Sequence, residues 1–173
     1  MRSLPNIVIT GTPGTGKSSH CDTLASELPD MKVFSINQVA KDRDCFDGYD
    51  EERKSHIVDE EKLIDAIEPD LEKGGLIIDW HVCDIFPEDL VDLVIVLRAD
   101  TEKIYDRLQK RNYAETKLQE NLDAEIMEVV LSDARESYAE EVVIELPSNT
   151  IDDIDSNVSR IVSWKEQWVA DNK

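Results

Sequence analysis

Cysteine and basic residues are scarce in this chain of 173 residues, and its apolar runs are short. The three cysteines, Cys21, Cys45 and Cys83, are too few for a disulfide scaffold and favour a reducing compartment. The longest purely apolar run is Leu93–Leu97, whereas a membrane-spanning helix needs about 20 such residues. We therefore expect neither membrane association nor secretion, and the length predicts one domain, residues 1–173.

Acidic residues outnumber basic residues by 39 to 19, which leaves a net charge of −20. Nucleic acids are bound mainly through basic surface that displaces counterions, so we expect little direct binding of DNA or RNA. The same charge would attract a basic protein partner, although solubility alone is a simpler explanation. The acids concentrate in Asp42–Glu61 and Glu120–Glu141, and each segment is either solvated surface or a docking face for such a partner.

Short apolar segments alternate with amphipathic ones along the chain. Five segments are typical of buried strands: Asn6–Thr10, Lys32–Ile36, Leu76–Asp79, Leu93–Arg98 and Val142–Leu146. Helices are predicted from an N-cap at Asp59 to Gly74 and over Lys17–Leu28, Thr101–Arg111, Leu118–Tyr138 and Asp152–Asp171. This order predicts an α/β fold with a five-stranded parallel sheet and helices on both faces.

Ligands of such sheets bind beyond the carboxyl ends of the strands, and the first of these ends carries a phosphate-binding loop. The segment Gly11–Ser18, GTPGTGKS, fits G-x-x-x-x-G-K-[ST] and lies between a predicted strand and a predicted helix. In this motif the loop N–H groups hold the β-phosphate, Lys17 reaches the β- and γ-phosphates, and the Ser18 hydroxyl binds Mg²⁺. The segment therefore predicts a site for ATP with Mg²⁺.

Asp79 ends the predicted strand Leu76–Asp79, which is where a P-loop protein places its second magnesium ligand. Alternatively, it is an ordinary capping or loop aspartate. His81 lies two residues on, so an extended backbone would turn both side chains to the same side, with Trp80 pointing into the core. His81 is then either a group that orients the attacking water or a structural histidine.

Basic residues recur every four positions on one face of a predicted helix, at Lys103, Arg107 and Arg111. Lys110 and Lys117 are close by in the sequence. Grouped bases in an acidic chain favour an anion site that stabilises a phosphoryl group in transfer, although a solvated helix face is the alternative. One more arginine, Arg98, lies at a predicted strand end and is a further candidate for phosphate binding.

Five motifs together resemble the nuclear adenylate kinase-like ATPases, known in animals as adenylate kinase isoenzyme six: GTPGTGKS, FDGYDEERKSHIVDEEKL (Phe46–Leu63), DWHVCDIFPE (Asp79–Glu88), VLRADT and RLQKRNY (Arg107–Tyr113). The resemblance covers nearly the whole chain. It implies a P-loop nucleoside-monophosphate-kinase-like fold with a small NMP-binding lobe at about residues 35–58 and a lid at about residues 110–120.

The resemblance also implies roles for individual residues. ATP would contact the lid arginine Arg111 and a run of the P-loop, Gly14, Thr15, Gly16, Lys17, Ser18 and Ser19. Asp79 and His81 match a D-x-H motif that supports hydrolysis, so the implied catalytic residues are Lys17, Asp79, His81 and Arg111, with Ser18 and Asp79 as metal ligands. The segment Pro147–Asn149 matches the loop beside the adenine.

The implied function is Mg²⁺-dependent phosphoryl transfer from ATP to AMP together with ATP hydrolysis. The resemblance also implies a role in small ribosomal subunit maturation (18S rRNA processing), on the pre-ribosomal particle and through ribosomal protein uS11, in nucleus and cytoplasm. We further expect a monomer. Three positions depart from the family or from ordinary adenylate kinases: Lys41, Thr150, and Glu88 in place of an arginine that holds the acceptor phosphate. An ATPase assembly factor with vestigial kinase activity and a small-metabolite kinase are the alternatives.

Overall fold

The computed structural model describes residues 2–51 and 55–173. Glu52, Arg53 and Lys54 belong to both the acidic segment Asp42–Glu61 and the predicted NMP-binding lobe, and they lie outside the described residues.

Five parallel strands form the central sheet in the order β2-β5-β1-β6-β7. They are β1 (Ile7–Gly11), β2 (Lys32–Ser35), β5 (Leu76–Asp79), β6 (Leu93–Arg98) and β7 (Val143–Pro147). The bounds of β5 and β6 are those predicted, and the other three strands differ from prediction by a residue at one or both ends. The predicted fold class, an α/β P-loop fold with a five-stranded parallel sheet, is confirmed.

Helices cover both faces of this sheet. They are α1 (Lys17–Glu27), α2 (Ile36–Asp42), α3 (Glu60–Lys73), α4 (Thr101–Lys110), α5 (Glu115–Ile126), α6 (Val129–Ser137) and α7 (Ile151–Asp171), with 3₁₀ turns at Glu88–Leu90 and Glu140–Val142. Asp59 caps α3 as predicted, since its side chain accepts a hydrogen bond from the backbone N–H of Lys62. Within the described residues, the structure contains no helix both long and apolar enough to cross a membrane.

Successive side chains of a strand point to opposite faces of the sheet, so the core has two layers. On one side of the sheet Val8 and Ile78 pack with buried residues of α3 and α6, which are Leu63, Ile67, Leu71, Leu131 and Ala134. On the other side Ile7, Ile9 and Ile77 pack with buried residues of α1 and α7, which are Cys21, Leu24, Val158 and Ile161. A strand with both of its faces buried has a continuous apolar sequence, which is why these strands were predicted well.

Two segments differ from the sequence prediction. No strand is predicted in the mostly polar residues 37–61, but the chain there forms α2 and an antiparallel hairpin of β3 (Phe46–Asp50) and β4 (Ser55–Val58). The single helix predicted over Leu118–Tyr138 is wrong, because α5 ends at Ile126 and α6 begins at Val129. Glu128 separates them with a positive φ of 57°, a left-handed conformation that interrupts a right-handed helix.

The predicted lobes correspond to distinct pieces of structure. Residues 35–58 contain α2 and the β3–β4 hairpin, and residues 110–120 contain the turn between α4 and α5 together with the start of α5. Their assignment as an NMP-binding lobe and a lid stays a prediction, because both names describe what the segments do when nucleotide binds.

Asn6 fastens the amino end of β1 to three neighbouring segments. Its amide nitrogen donates to the carbonyls of Leu71 at 2.7 Å and Leu90 at 2.8 Å, and its amide oxygen accepts from the backbone N–H of Leu76 at 3.2 Å. The residue is fully buried, so these are the partners that replace water. This arrangement ties α3 and the starts of β1 and β5 together at the amino edge of the sheet.

We expect Asn6→Ala to destabilise the protein by about 2–4 kcal/mol, because it leaves two carbonyls and a buried N–H without this partner. Urea unfolding followed by circular dichroism measures the change. The matched control is Asn172→Ala, which removes an amide bonded to the Trp168 carbonyl near the carboxyl end of α7 and should cost less than about 0.5 kcal/mol. Equal, small losses in both variants would contradict the role given to Asn6.

Candidate active site

The P-loop follows β1 and needs glycine where its backbone turns. Gly16, the N-cap of α1, has φ 88° and ψ 27°, a left-handed conformation that suits glycine. At Gly11 (φ 152°) an added Cβ would come within 2.8 Å of the Leu97 carbonyl oxygen. The loop therefore delivers the positive end of the α1 dipole to the carboxyl edge of the sheet, where phosphate groups bind favourably.

Lys17 begins α1, and its side chain turns back over the loop. The ammonium donates to the carbonyls of Gly11 at 3.0 Å and Thr12 at 3.3 Å. Burial lowers the pKa of Lys17 to about 8, while the nearby carboxylate of Asp79 opposes that shift. Binding an anion beside this ammonium would stabilise its charged form, which is the form that neutralises phosphate.

Ser18 and Asp79 meet at the ends of α1 and β5. The Ser18 hydroxyl donates to Asp79 Oδ2 at 3.0 Å, although 61 residues separate them in the sequence. Burial raises the pKa of Asp79, and the Ser18 hydrogen bond and the charge of Lys17 act against that rise. Two hard oxygen donors beside a P-loop fit Mg²⁺, which binds proteins through one or two such groups and completes its shell with phosphate and water.

His81 lines the same cleft as Asp79. Loss of solvent around the imidazole within the cleft, together with the charges of Lys17 and Lys117, lowers the pKa of His81 to about 4. The ring is therefore neutral at pH 7 and able to accept a hydrogen bond. Trp80 is buried, as predicted, and its ring lies edge-on to that of His81 with centroids 5.6 Å apart.

Arg111 and Lys117, which lie within residues 110–120, line one wall of the cleft, and the cleft has a volume of about 850 Å³. Both cations lie over the ring of Tyr113, with Arg111 Cζ 5.2 Å and Lys117 Nζ 4.6 Å from its centroid. The ring holds two positive charges together that would otherwise repel each other. The sequence prediction named both cations but gave Tyr113 no role.

Residues 35–58 contribute a further wall of the cleft. Asn37 of α2 and two residues of β4, His56 and Val58, are among its lining. The imidazole of His56 stacks on the ring of Phe46, with centroids 4.5 Å apart and planes inclined by 14°. The segment predicted to bind the monophosphate therefore borders the same space as the P-loop.

The other members of the predicted basic group have different positions. Arg107 lines the cleft, but its guanidinium donates to three backbone carbonyls, those of Gly14 (3.1 Å), Ser148 (2.9 Å) and Asn149 (3.2 Å). It therefore joins the P-loop to the loop after β7. Lys103 and Lys110 are exposed and lie outside the described lining of the cleft.

The prediction that Arg98 binds phosphate is wrong. Its guanidinium contacts the carboxylates of Glu125 (3.0 Å), Glu145 (3.2 Å) and Glu128 (3.5 Å). These acids satisfy its charge, and Arg98 lines a separate groove outside the cleft. Strand-end position alone therefore did not identify a phosphate ligand.

Two side chains of the P-loop region point inward instead of toward a ligand. Thr15, an expected ATP contact, turns its hydroxyl to the Thr12 carbonyl at 2.7 Å and is fully buried. His20 is buried behind the loop, where its Nδ1 is 2.8 Å from the Gly16 carbonyl and its Nε2 is 3.1 Å from the Asn157 amide nitrogen. Burial lowers the pKa of His20, so the neutral ring donates from Nδ1 and accepts at Nε2.

Glu125 is buried, although the sequence predicted that it lies on the surface. It belongs to the acidic segment Glu120–Glu141, interpreted as solvated or docking surface, but only 3% of it is exposed. Its carboxylate accepts hydrogen bonds from Thr12 of the P-loop at 2.9 Å and from Arg98. A signal was present, because Glu125 lies seven residues after Leu118 and so shares its buried helix face.

The cysteines near the cleft are packing residues. Cys21 and Cys83 are buried, and burial raises the pKa of both thiols, that of Cys83 to about 12. Neither thiol is therefore ionised near pH 7, and a thiolate is the form in which cysteine acts as a nucleophile.

Comparison with known proteins agrees with this geometry. A family model described as an AAA domain matches residues 7–128. The chain is 58% identical over 165 residues to adenylate kinase isoenzyme 6 homolog FAP7 of Saccharomyces cerevisiae, covering 95% of this chain and 84% of the relative. It is 48% identical over 167 residues to an adenylate kinase isoenzyme 6 homolog of Schizosaccharomyces pombe, covering 96% and 95%.

A solved gluconokinase from Sinorhizobium meliloti superimposes with a TM-score of 0.56 at 14% identity, covering 94% of this chain and 96% of that one. At that identity the likeness concerns the fold alone. Fold and cleft together define a P-loop phosphotransferase that binds nucleotides. The relatives then specify the family, and the chain belongs to the adenylate kinase isoenzyme 6 homologues.

Lys17→Ala should lower ATP turnover about 10²- to 10³-fold and leave the fold intact, because the side chain contacts loop carbonyls and not the apolar core. Loss of a charge that stabilises a transferring phosphoryl group typically costs about 3–4 kcal/mol in the transition state. Coupled-enzyme assays measure turnover, and circular dichroism measures folding. Lys103→Ala, which removes an exposed lysine outside the described cleft lining, is the control and should keep full activity. A folded Lys17→Ala protein with normal turnover would refute this role.

Proposed function

We propose that this protein transfers the γ-phosphoryl group of Mg²⁺-bound ATP to AMP and also hydrolyses ATP. One observation carries the proposal. A single cleft contains a P-loop with Lys17, the oxygen pair of Ser18 and Asp79, and the lid cations Arg111 and Lys117. The names of the relatives, which are adenylate kinase isoenzyme 6 homologues, favour AMP as the acceptor.

Each residue of the cleft then has a role. Ser18 and Asp79 would hold Mg²⁺, which shields the charge of the phosphates when it is bound. Lys17 contacts the β- and γ-phosphates, and Arg111 stabilises the negative charge that develops during transfer. Lys117, held beside Arg111 by the aromatic ring that they share, would neutralise the acceptor phosphate.

A second candidate function, an ATPase assembly factor with only vestigial kinase activity, is favoured by the residues after β5. Glu88 stands where ordinary adenylate kinases have an acceptor-binding arginine, and it lies in a 3₁₀ turn that is not among the described residues lining the cleft. His81, in contrast, lies inside the cleft, neutral at pH 7 and able to orient a water molecule. A residue that orients water would serve hydrolysis, whereas transfer to AMP does not require one.

The cellular role belongs to the same proposal. We propose that the protein acts on the pre-ribosomal particle in 18S rRNA processing by binding ribosomal protein uS11, in nucleus and cytoplasm, as a monomer with little direct contact to nucleic acid. The support is the family resemblance and the net charge of −20, which would attract a basic ribosomal protein. A small-metabolite kinase is the alternative that an acceptor screen would test.

His81→Ala should separate the two activities. Hydrolysis requires an oriented water, so its rate should fall about 10- to 100-fold, at the lower end of general-base effects. Transfer to AMP should fall less, because the acceptor phosphate is itself the nucleophile. Phosphate release without AMP and ADP formation with AMP measure the two rates.

The control for this experiment is His81→Gln, which keeps a hydrogen-bonding side chain but cannot take up a proton. If His81 removes a proton from the water, the Gln variant resembles the Ala variant in hydrolysis, and if it only orients the water, the Gln variant keeps part of the rate. Equal loss of both activities in both variants would instead mean that His81 supports the Asp79 loop.

Binding of uS11 should weaken steeply as salt is added, because the attraction acts over a Debye length that falls from about 10 Å at 0.1 M to about 3 Å at 1 M. Titrations of uS11 at both salt concentrations, with ATP, with ADP and without nucleotide, measure the affinity. Neutralising exposed acids of the segment Glu120–Glu141, as in Glu136→Gln with Glu140→Gln, should slow association. Asp171→Asn, outside both acidic segments, is the control. Affinity that responds to neither salt nor nucleotide would remove the assembly role and leave a nucleotide kinase.

A further inference from the structure

We propose that Glu125 is a positioning residue for the phosphoryl-transfer reaction, and that it acts by fixing the P-loop to helix α5 through the hydroxyl of Thr12. The inference rests on the ATP-dependent activity proposed above. It assigns a role to an acidic residue that is not among the described residues lining the cleft.

The carboxylate of Glu125 is a junction between separate parts of the fold. Its Oε1 accepts from Thr12 Oγ1 at 2.9 Å, and its Oε2 accepts from Arg98 Nε and from the backbone N–H of Ala99, both at 3.0 Å. The Glu125 carbonyl accepts a further bond from Arg98 at 2.9 Å. Three donors from the P-loop and the end of β6 therefore converge on one side chain of α5.

Thr12 connects Glu125 to Thr15 and Lys17 of the P-loop through hydrogen bonds to its backbone carbonyl. The residue is 1% exposed, and its carbonyl accepts from Thr15 Oγ1 at 2.7 Å, from Thr15 N–H at 3.2 Å and from Lys17 Nζ at 3.3 Å. A displacement of Thr12 therefore moves an atom on which the Lys17 ammonium rests. Misplacement of a phosphate-binding group by about 1 Å is enough to lower a reaction rate severely.

Helix α5 connects the same junction to another wall of the cleft. Lys117 and Asn121, both of which line the cleft, precede Glu125 by eight and four residues on this helix. At 1.5 Å per residue, Lys117 lies about 12 Å from Glu125 along the helix axis. One end of α5 thus lines the cleft while the other is fastened to the P-loop, so Glu125 sets the distance between the two walls.

Stability alone accounts poorly for this buried carboxylate. The cost of removing two charges from water largely offsets the attraction within a buried ion pair, so such pairs add little net stability. What Glu125 supplies is geometric, since a carboxylate can accept all three hydrogen bonds at once in fixed directions.

The first test is Thr12→Val, which removes the hydroxyl and keeps the shape of the side chain. We expect kcat to fall about 10-fold or more while KM for ATP changes less than about 3-fold, because the defect lies in the alignment of the loop. The control is Glu128→Gln, which alters another carboxylate beside Arg98, at 3.5 Å, and should keep normal kcat. Unchanged kcat in Thr12→Val would overturn the proposal.

The second test is a double-mutant cycle. Glu125→Ala should lower kcat in the normal background but cause less than about a 2-fold further fall in the Thr12→Val background, since both changes break the same link. Glu125→Gln should restore most of the kcat lost in Glu125→Ala, because its amide oxygen can accept from Arg98 and Ala99 and its NH₂ can donate to Thr12. Losses that multiply independently, or no rescue by glutamine, would refute the link through Thr12.

Amide hydrogen exchange of residues 12–18 provides a readout that does not depend on turnover. Thr12→Val should raise exchange in this segment, and Glu128→Gln should not. Should the unmodified protein turn over no ATP, with or without AMP, the proposed function fails while exchange still tests the restraint. Should it be active and the loop exchange be unchanged in Thr12→Val, only this inference fails. The same comparison is available if Glu125→Ala does not fold.

Discussion

The P-loop turns at glycines with positive φ, and side chains from three different helices hold it in that shape. Glu125 of α5 bonds to the Thr12 hydroxyl, while Arg107 of α4 and His20 of α1 bond to the carbonyls of two loop glycines. Asn157 of α7 supports the last of these contacts by bonding to His20. Because the loop is largely buried, its polar groups need protein partners, and the remaining features of the site depend on that support.

The basic residues near the loop differ in what their side chains contact. Arg98 and Arg107 donate to carboxylates and carbonyls that shape the scaffold. Lys17, Arg111 and Lys117 line the cleft together with the serine–aspartate oxygen pair. Several basic side chains of an acidic protein thus line one cleft, which suits a nucleotide with several negative charges.

Agreement between sequence and structure was best where a single local rule applied. The strand Leu93–Arg98 and the P-loop motif were predicted correctly, because an apolar run and a glycine pattern each determine their own conformation. The helix predicted over Leu118–Tyr138 failed because its apolar spacing continues past the break, whereas Glu128 adopts a left-handed conformation. Within α5 itself, Ile126 is 65% exposed and Glu125 is buried, since Glu125 shares the face of Leu118.

Patterns contiguous in the chain were enough to predict the fold class, the phosphate-binding loop and the family, because each of them depends on neighbouring residues. Which of several arginines and glutamates face the cleft became clear only from the packed molecule. Arg98 and Arg111 both end or follow an element and look alike in sequence, yet one meets three carboxylates and the other lines the cleft. The physical reason is that the role of a side chain depends on the partners brought to it, and residues such as Thr12 and Glu125, 113 positions apart, meet only when the sheet and helices have packed.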